Sequence, residues 1–123
     1  MDGFDVADAK ENLKRRREKR RREVRSLLAR ALEDRRKIIE MLIVRYKPLK
    51  IYVWGSLENT DLFTEHSDID IAVEGLSGPL EGLHAQSEAE EMTEFSVDLV
   101  ELERIHPVYA EDIRERGRLV YER

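Results

Sequence analysis

Apolar residues recur at Val24, Leu28, Ala31, Ile38 and Leu42, with Leu27, Leu32 and Ile39 beside them. This is the three-to-four spacing of a helix that lays one stripe on a core. No Pro or Gly interrupts residues 7–47, and Pro48 drives the residue before it out of helical geometry, so the pattern predicts a core helix over about 24–46. Upstream the stripe fails: between Ala9 and Val24 only Leu13 is apolar. That stretch is expected to be a helical extension exposed on all sides, or a frayed arm. The chain therefore divides into an extension over 1–23 and a folded domain over 24–123.

Beyond Pro48 the period changes. The run LKIYVWG is β-branched and aromatic and closes at Gly55, which predicts a buried strand. Ser56 can cap a short helix reaching Leu62. DIDIAVEGL predicts a second strand ended by Gly75, and LEGLHAQSEAEEM a helix with Pro79 at or near its first turn. FSVDLVEL alternates as a third strand. Pro107 opens a further helix, PVYAEDIRER, which Gly117 ends before a terminal strand RLVYE. Helix and strand thus alternate four times, in one domain of 123 residues.

Charge changes this picture most. Charged residues make up 40% of the chain, net −5, so much of it is solvated surface. Residues 10–37 carry 14 Lys or Arg against 5 Asp or Glu, which leaves a strongly acidic remainder. A basic arm on an acidic body fits contact with an acidic partner, with nucleic acid, or plain solvation. Nucleic acid is disfavoured on sequence, because the acidic body would repel phosphates and no aromatic residue is interleaved with the arginines. The expectation is an extended arm that meets an acidic face on a partner subunit. There is no cysteine, hence no disulfide and no thiolate metal site. No apolar run is long enough to span a bilayer, and the N-terminus lacks a signal-peptide layout, so no membrane association and a cytoplasmic location are expected.

The candidate chemistry lies in VWGSLENTDLFTEHSDIDIAV, residues 53–73. In a strand Asp68 and Asp70 point the same way, and two like charges so placed cost stability unless a cation or a shared proton lies between them. Gly55 and Ser56 sit at a strand-to-helix turn, where glycine allows close backbone approach and free N–H groups favour an anion such as phosphate. Asp98 is an acid within an otherwise apolar strand. Three carboxylates beside a phosphate-binding turn suit a magnesium–nucleotide site, since magnesium takes a few carboxylate oxygens plus substrate phosphates. Two such ions can hold the attacking and leaving oxygens of a displacement at phosphorus. Asp68 and Asp70 would bridge both, and Asp98 would bind the ion nearer the nucleophile and help take up its proton. Ser67 and His66 adjoin this pair and can touch phosphate. Glu101 faces opposite to Asp98 by strand parity and is set aside. His66, His84 and His106 are too scattered for a metal cluster and are expected at the surface or as caps; Trp54 is expected in the core, and Tyr109 and Tyr121 partly buried.

The combination GS … SDIDIAVEGL … VDLVEL, ending in IRERGRLVYER, resembles the minimal nucleotidyltransferases of the DNA polymerase beta superfamily over about residues 38–123. The resemblance implies an α+β nucleotidyltransferase fold, a small mixed sheet flanked by helices, here with a long N-terminal helix. It implies Mg²⁺-dependent transfer of AMP or another NMP from ATP or another NTP. Members of this kind pair with HEPN-domain toxins as antitoxins that adenylylate a protein hydroxyl of the toxin. By that likeness Gly55 and Ser56, with Ser67, bind nucleotide, and Asp68, Asp70 and Asp98 are the catalytic metal ligands. Two departures stand out: eleven residues separate Ser56 from Asp68, one more than the common spacing, and Glu58-Asn59-Thr60 stands where many members have Ala-Arg-Gly. The missing arginine implies the alternative of a weak or inactive transferase fold that neutralises its HEPN partner by binding. The number and identity of subunits in a homo- or hetero-oligomer stay open.

Overall fold

The computed structural model describes residues 5–123, so the first four residues of the expected extension lie outside the described residues. The order is α1 (Val6–Met41), β1 (Lys50–Trp54), β2 (Ile69–Glu74), α2 (Glu81–Glu91), β3 (Val97–Glu101), α3 (Pro107–Arg116) and β4 (Arg118–Glu122). The strands form one mixed sheet in the order β3-β2-β1-β4, with β1 antiparallel to β2 and β4, and β2 parallel to β3. This is the α+β architecture, a small mixed sheet with a long first helix, that the resemblance implies.

Asp5 caps α1 by accepting a hydrogen bond from the Ala7 N–H at 2.9 Å, and the helix then runs unbroken through the position where burial begins. Residues 10–23 are exposed on every side, and Val24 is the first of the apolar stripe to be covered. The spacing predicted a core helix to residue 46. The α-helix instead stops at Met41, a π-helical turn covers Leu42–Tyr46, and Lys47 takes a left-handed φ of 47° just before Pro48. Proline still ends the helix, but through a widened last turn whose Lys47 N–H reaches back to the Leu42 carbonyl. Pro79 also lies earlier than expected, since α2 begins two residues later, at Glu81.

Strand parity divides the core into two layers. Ile51, Ile69, Ile71, Val73 and Val97 turn toward α1 and α2, where Ala31, Ile38, Leu42, Ala85 and Ala89 meet them. Tyr52 and Ala72 turn the other way, toward Ala110 and Ile113 of α3, with Trp54 and Val100 packed alongside. Burying a residue of the Ile or Val class contributes roughly 1.5–3 kcal/mol, so the first layer supplies most of the hydrophobic stabilisation. Asp70 and Asp98 share the parity of Ala72 and Val100 and therefore lie on the α3 face of the sheet.

Candidate active site

Asp70 and Asp98 are register partners across the parallel β2–β3 pair, and Trp54 is the antiparallel partner of Asp70 on β1. The end of β1 and the beginnings of β2 and β3 thus converge at one end of the sheet, on the face that α3 leaves open. Asp68 precedes β2 by one residue and is exposed, as is Asp98, whereas Asp70 is half-buried. Burial, then Asp98, then Asp68 push the Asp70 carboxyl up to about 6 from its ordinary 3.8. All three causes act in one direction, and no cationic side chain among the described residues offsets them. Among the described residues no group of three His, Asp or Glu side chains is drawn tightly enough to hold an ion as it stands. The three acids are electrostatic neighbours that repel, which is the condition a bound cation relieves. Their donor chemistry, oxygen only and few in number, fits magnesium.

Gly55 is fitted to this arrangement. Its φ is +86°, and a Cβ on it would lie 2.1 Å from Oδ2 of Asp70. The glycine therefore serves both a left-handed turn and the close passage of Asp70. The helix expected from Ser56 to Leu62 is absent. The Glu58 N–H donates to the Gly55 carbonyl at 3.0 Å and the Asn59 N–H to the Ser56 carbonyl at 3.2 Å, a turn that leads into one 3-10 turn at Thr60–Leu62. The polar run Glu58-Asn59-Thr60-Asp61 offers side chains that compete for the backbone, which favours turns over helix. Any phosphate at Gly55 and Ser56 would meet turn amides, and the helix N-terminus expected there is not formed.

The remaining sequence candidates separate clearly. Ser67 Oγ accepts from the Thr64 N–H at 2.9 Å and so closes the loop before Asp68. His66 is exposed beside Glu65. His106 caps α3, its Nδ1 accepting from the Val108 N–H at 3.1 Å. Glu101 lies against Gly82 of α2, pairs with Arg104 at 3.1 Å and takes no part in the acid group. Tyr109, expected to be partly buried, is 67% exposed because it sits on the solvent side of α3. A polar cavity of about 350 Å³ opens beside Asp68, bounded by Leu27 and Arg30 of α1, Ser67, Glu94 and Phe95.

The turn after β1 is tied to α1 and β4 by an ion-pair network. Glu58 binds Arg35 of α1 at 2.7 Å and Arg118 of β4 at 2.8 and 3.0 Å, and Arg35 is only 8% exposed. Arg118 and then Arg35 hold the Glu58 carboxyl below its ordinary range, against the opposing effect of burial. The signal was present in the apolar stripe, whose missing member between Ala31 and Ile38 is Arg35. An arginine in a buried stripe requires a carboxylate partner.

The family described as "Polymerase beta, Nucleotidyltransferase" matches residues 36–123. Among solved structures, a mutant form of the toxin–antitoxin MntA-HpeT aligns at 27% identity over 72% of this chain and 72% of that chain, TM-score 0.59. A toxin–antitoxin crystallised with AMP-PNP aligns at 25% identity over 72% and 73%, TM-score 0.61. The toxin–antitoxin MntA-HepT, at 23% identity over 75% and 73% and TM-score 0.57, shares the fold. No curated protein matches the sequence.

Proposed function

The chain belongs to the polymerase beta nucleotidyltransferase family, and from that premise we propose that it transfers AMP, or another NMP, from an NTP to a hydroxyl of a HEPN-domain toxin and thereby acts as an antitoxin. The observation that carries this reading is the trio Asp68, Asp70 and Asp98 at one sheet end, beside a glycine turn shaped around Asp70. The toxin–antitoxin neighbours support the partner class, and the AMP-PNP neighbour supports the nucleotide. Asp68, Asp70 and Asp98 would hold magnesium, which supplies positive charge for the triphosphate and the reacting oxygens when bound. Asp68 and Asp70, on the β2 side, anchor and orient the nucleotide end of the site. Asp98, the more exposed of the register pair, faces the acceptor and takes the hydroxyl proton at its carboxylate as the acceptor oxygen bonds to the α-phosphorus and the bond from that phosphorus to the outer two phosphates breaks, releasing pyrophosphate. The turn amides at Gly55 and Ser56 bind the outer phosphates.

A second reading rests on one observation: Asn59 stands where the family motif carries arginine, and its neighbour Glu58 is committed to Arg35 and Arg118. On this reading the chain covers its partner without modifying it. Incubation with labelled ATP, magnesium and a HEPN-domain protein that forms a complex with the chain separates the two. Label on the partner, lost in Asp98→Asn, supports transfer. A complex that forms without label from any NTP supports binding alone.

A further inference from the structure

Eight of the nine residues from Lys14 to Arg22 are Lys or Arg, six of them Arg, interrupted only by Glu18. The structure holds them on a continuous helix, exposed on every side. At about 1.5 Å per residue the segment spans roughly 13 Å, which places one cation every 1.7 Å or so along the axis. Duplex nucleic acid carries one phosphate charge per roughly 1.7 Å of its own axis. We propose that segment 14–22 of α1 binds the phosphate backbone of a duplex nucleic acid, without reading its sequence.

Three further observations favour this occupant over an acidic protein. At 100° per residue the cations surround the helix, as suits a groove with phosphates on both rims; a protein surface would meet only one side. No apolar or aromatic residue lies between Leu13 and Val24 to anchor a desolvated protein interface, and a backbone of phosphates needs none. The side chains are mostly free: among the described residues only Lys19 and Arg20 of the cluster lie within 4.0 Å of a carboxylate, those of Glu23 and Glu65. Pairs such as Arg16 with Arg20 and Arg17 with Arg21 repel at helical spacing, a cost that phosphates between them would relieve.

The acidic body argues less against this than the sequence alone implies. Val24 is the first stripe residue packed on the body and Arg20 still reaches Glu65 of the body, so the outer end of the segment is the part that stands clear: the helix carries Lys14 about 15 Å beyond Val24, close to two Debye lengths at physiological salt. Repulsion from the body then confines contact to the arm.

The test is fluorescence anisotropy of labelled 20-base-pair duplexes, one DNA and one RNA, titrated with the full-length protein from 50 to 200 mM salt. Five or more phosphate contacts give a log–log salt slope of about −4.5 or steeper, a loss of affinity of several hundredfold across that range. The variant carrying Arg16→Gln, Arg17→Gln, Arg20→Gln and Arg21→Gln keeps helix propensity and should bind at least tenfold more weakly at 50 mM salt with a shallower slope. Tight binding of either duplex, or of both, supports the proposal and identifies the source. Absence of binding to both at 50 mM salt, equal affinity in the variant, or stronger binding to polyglutamate than to either duplex would overturn it. Because the variant leaves residues 36–123 intact, its outcome is independent of nucleotidyl transfer.

Discussion

At the scale of single residues the site is defined by three carboxylates that have no cationic partner among the described residues. Asp70 sits close to pH 6 when folded and near 3.8 ordinarily. Below 3.8 both states are protonated and the residue is neutral toward stability. Between about pH 4 and 6 the unfolded chain ionises first, so rising pH destabilises the fold, and above 6 the loss is complete. Asp70→Asn removes this effect. In metal-free buffer its melting temperature should match wild type near pH 3.5, exceed it increasingly up to pH 6, and stay higher by a constant margin above that. Parallel pH profiles for the two proteins would refute the raised carboxyl. Gly55→Ala tests the same pocket sterically. The clash with Asp70 and the φ of +86° should together cost at least about 2 kcal/mol by chemical denaturation. Combining it with Asp70→Ala should recover only the part due to the clash.

At the scale of elements the alternation of helix and strand was legible, because period-2 and period-3.6 runs were separated by Gly55, Gly75, Pro107 and Gly117. The candidate acids were legible for the same reason: polar residues inside strand patterns stand out. What sequence could not show was tertiary. The turn after Ser56 forms because its polar side chains and the ties from Glu58 override a nominal cap, and the π-helical turn at Leu42–Tyr46 has no local signature. The buried Arg35 is marked by its place in the apolar stripe between Ala31 and Ile38, but the sequence does not say which carboxylate meets it. Its pairing with Glu58 joins α1, the turn after β1 and β4, so Glu58→Ala should destabilise by about 3 kcal/mol by leaving a buried guanidinium unpaired. Arg118→Ala removes only the exposed partner and should cost about 1 kcal/mol or less. Equal effects in urea denaturation would show that Arg35 is not the buried member of the network.

For the whole molecule, one helix connects a basic arm to an acidic body that bears the site. No helix of the described residues is long and apolar enough to cross a membrane. Deleting residues 1–22 removes none of the core residues on α1, all of which lie from Val24 onward. Its melting temperature should stay within a few degrees of the full chain, whereas a fall of more than 10 °C would show that the arm supports the fold. The proposed activity requires three repelling carboxylates to form a metal–nucleotide centre, and calorimetric titration of magnesium in the presence of AMP-PNP tests this most directly. Saturable binding to the wild-type chain, abolished in Asp70→Asn while that variant stays folded, is the predicted result; undiminished affinity in Asp70→Asn would contradict it.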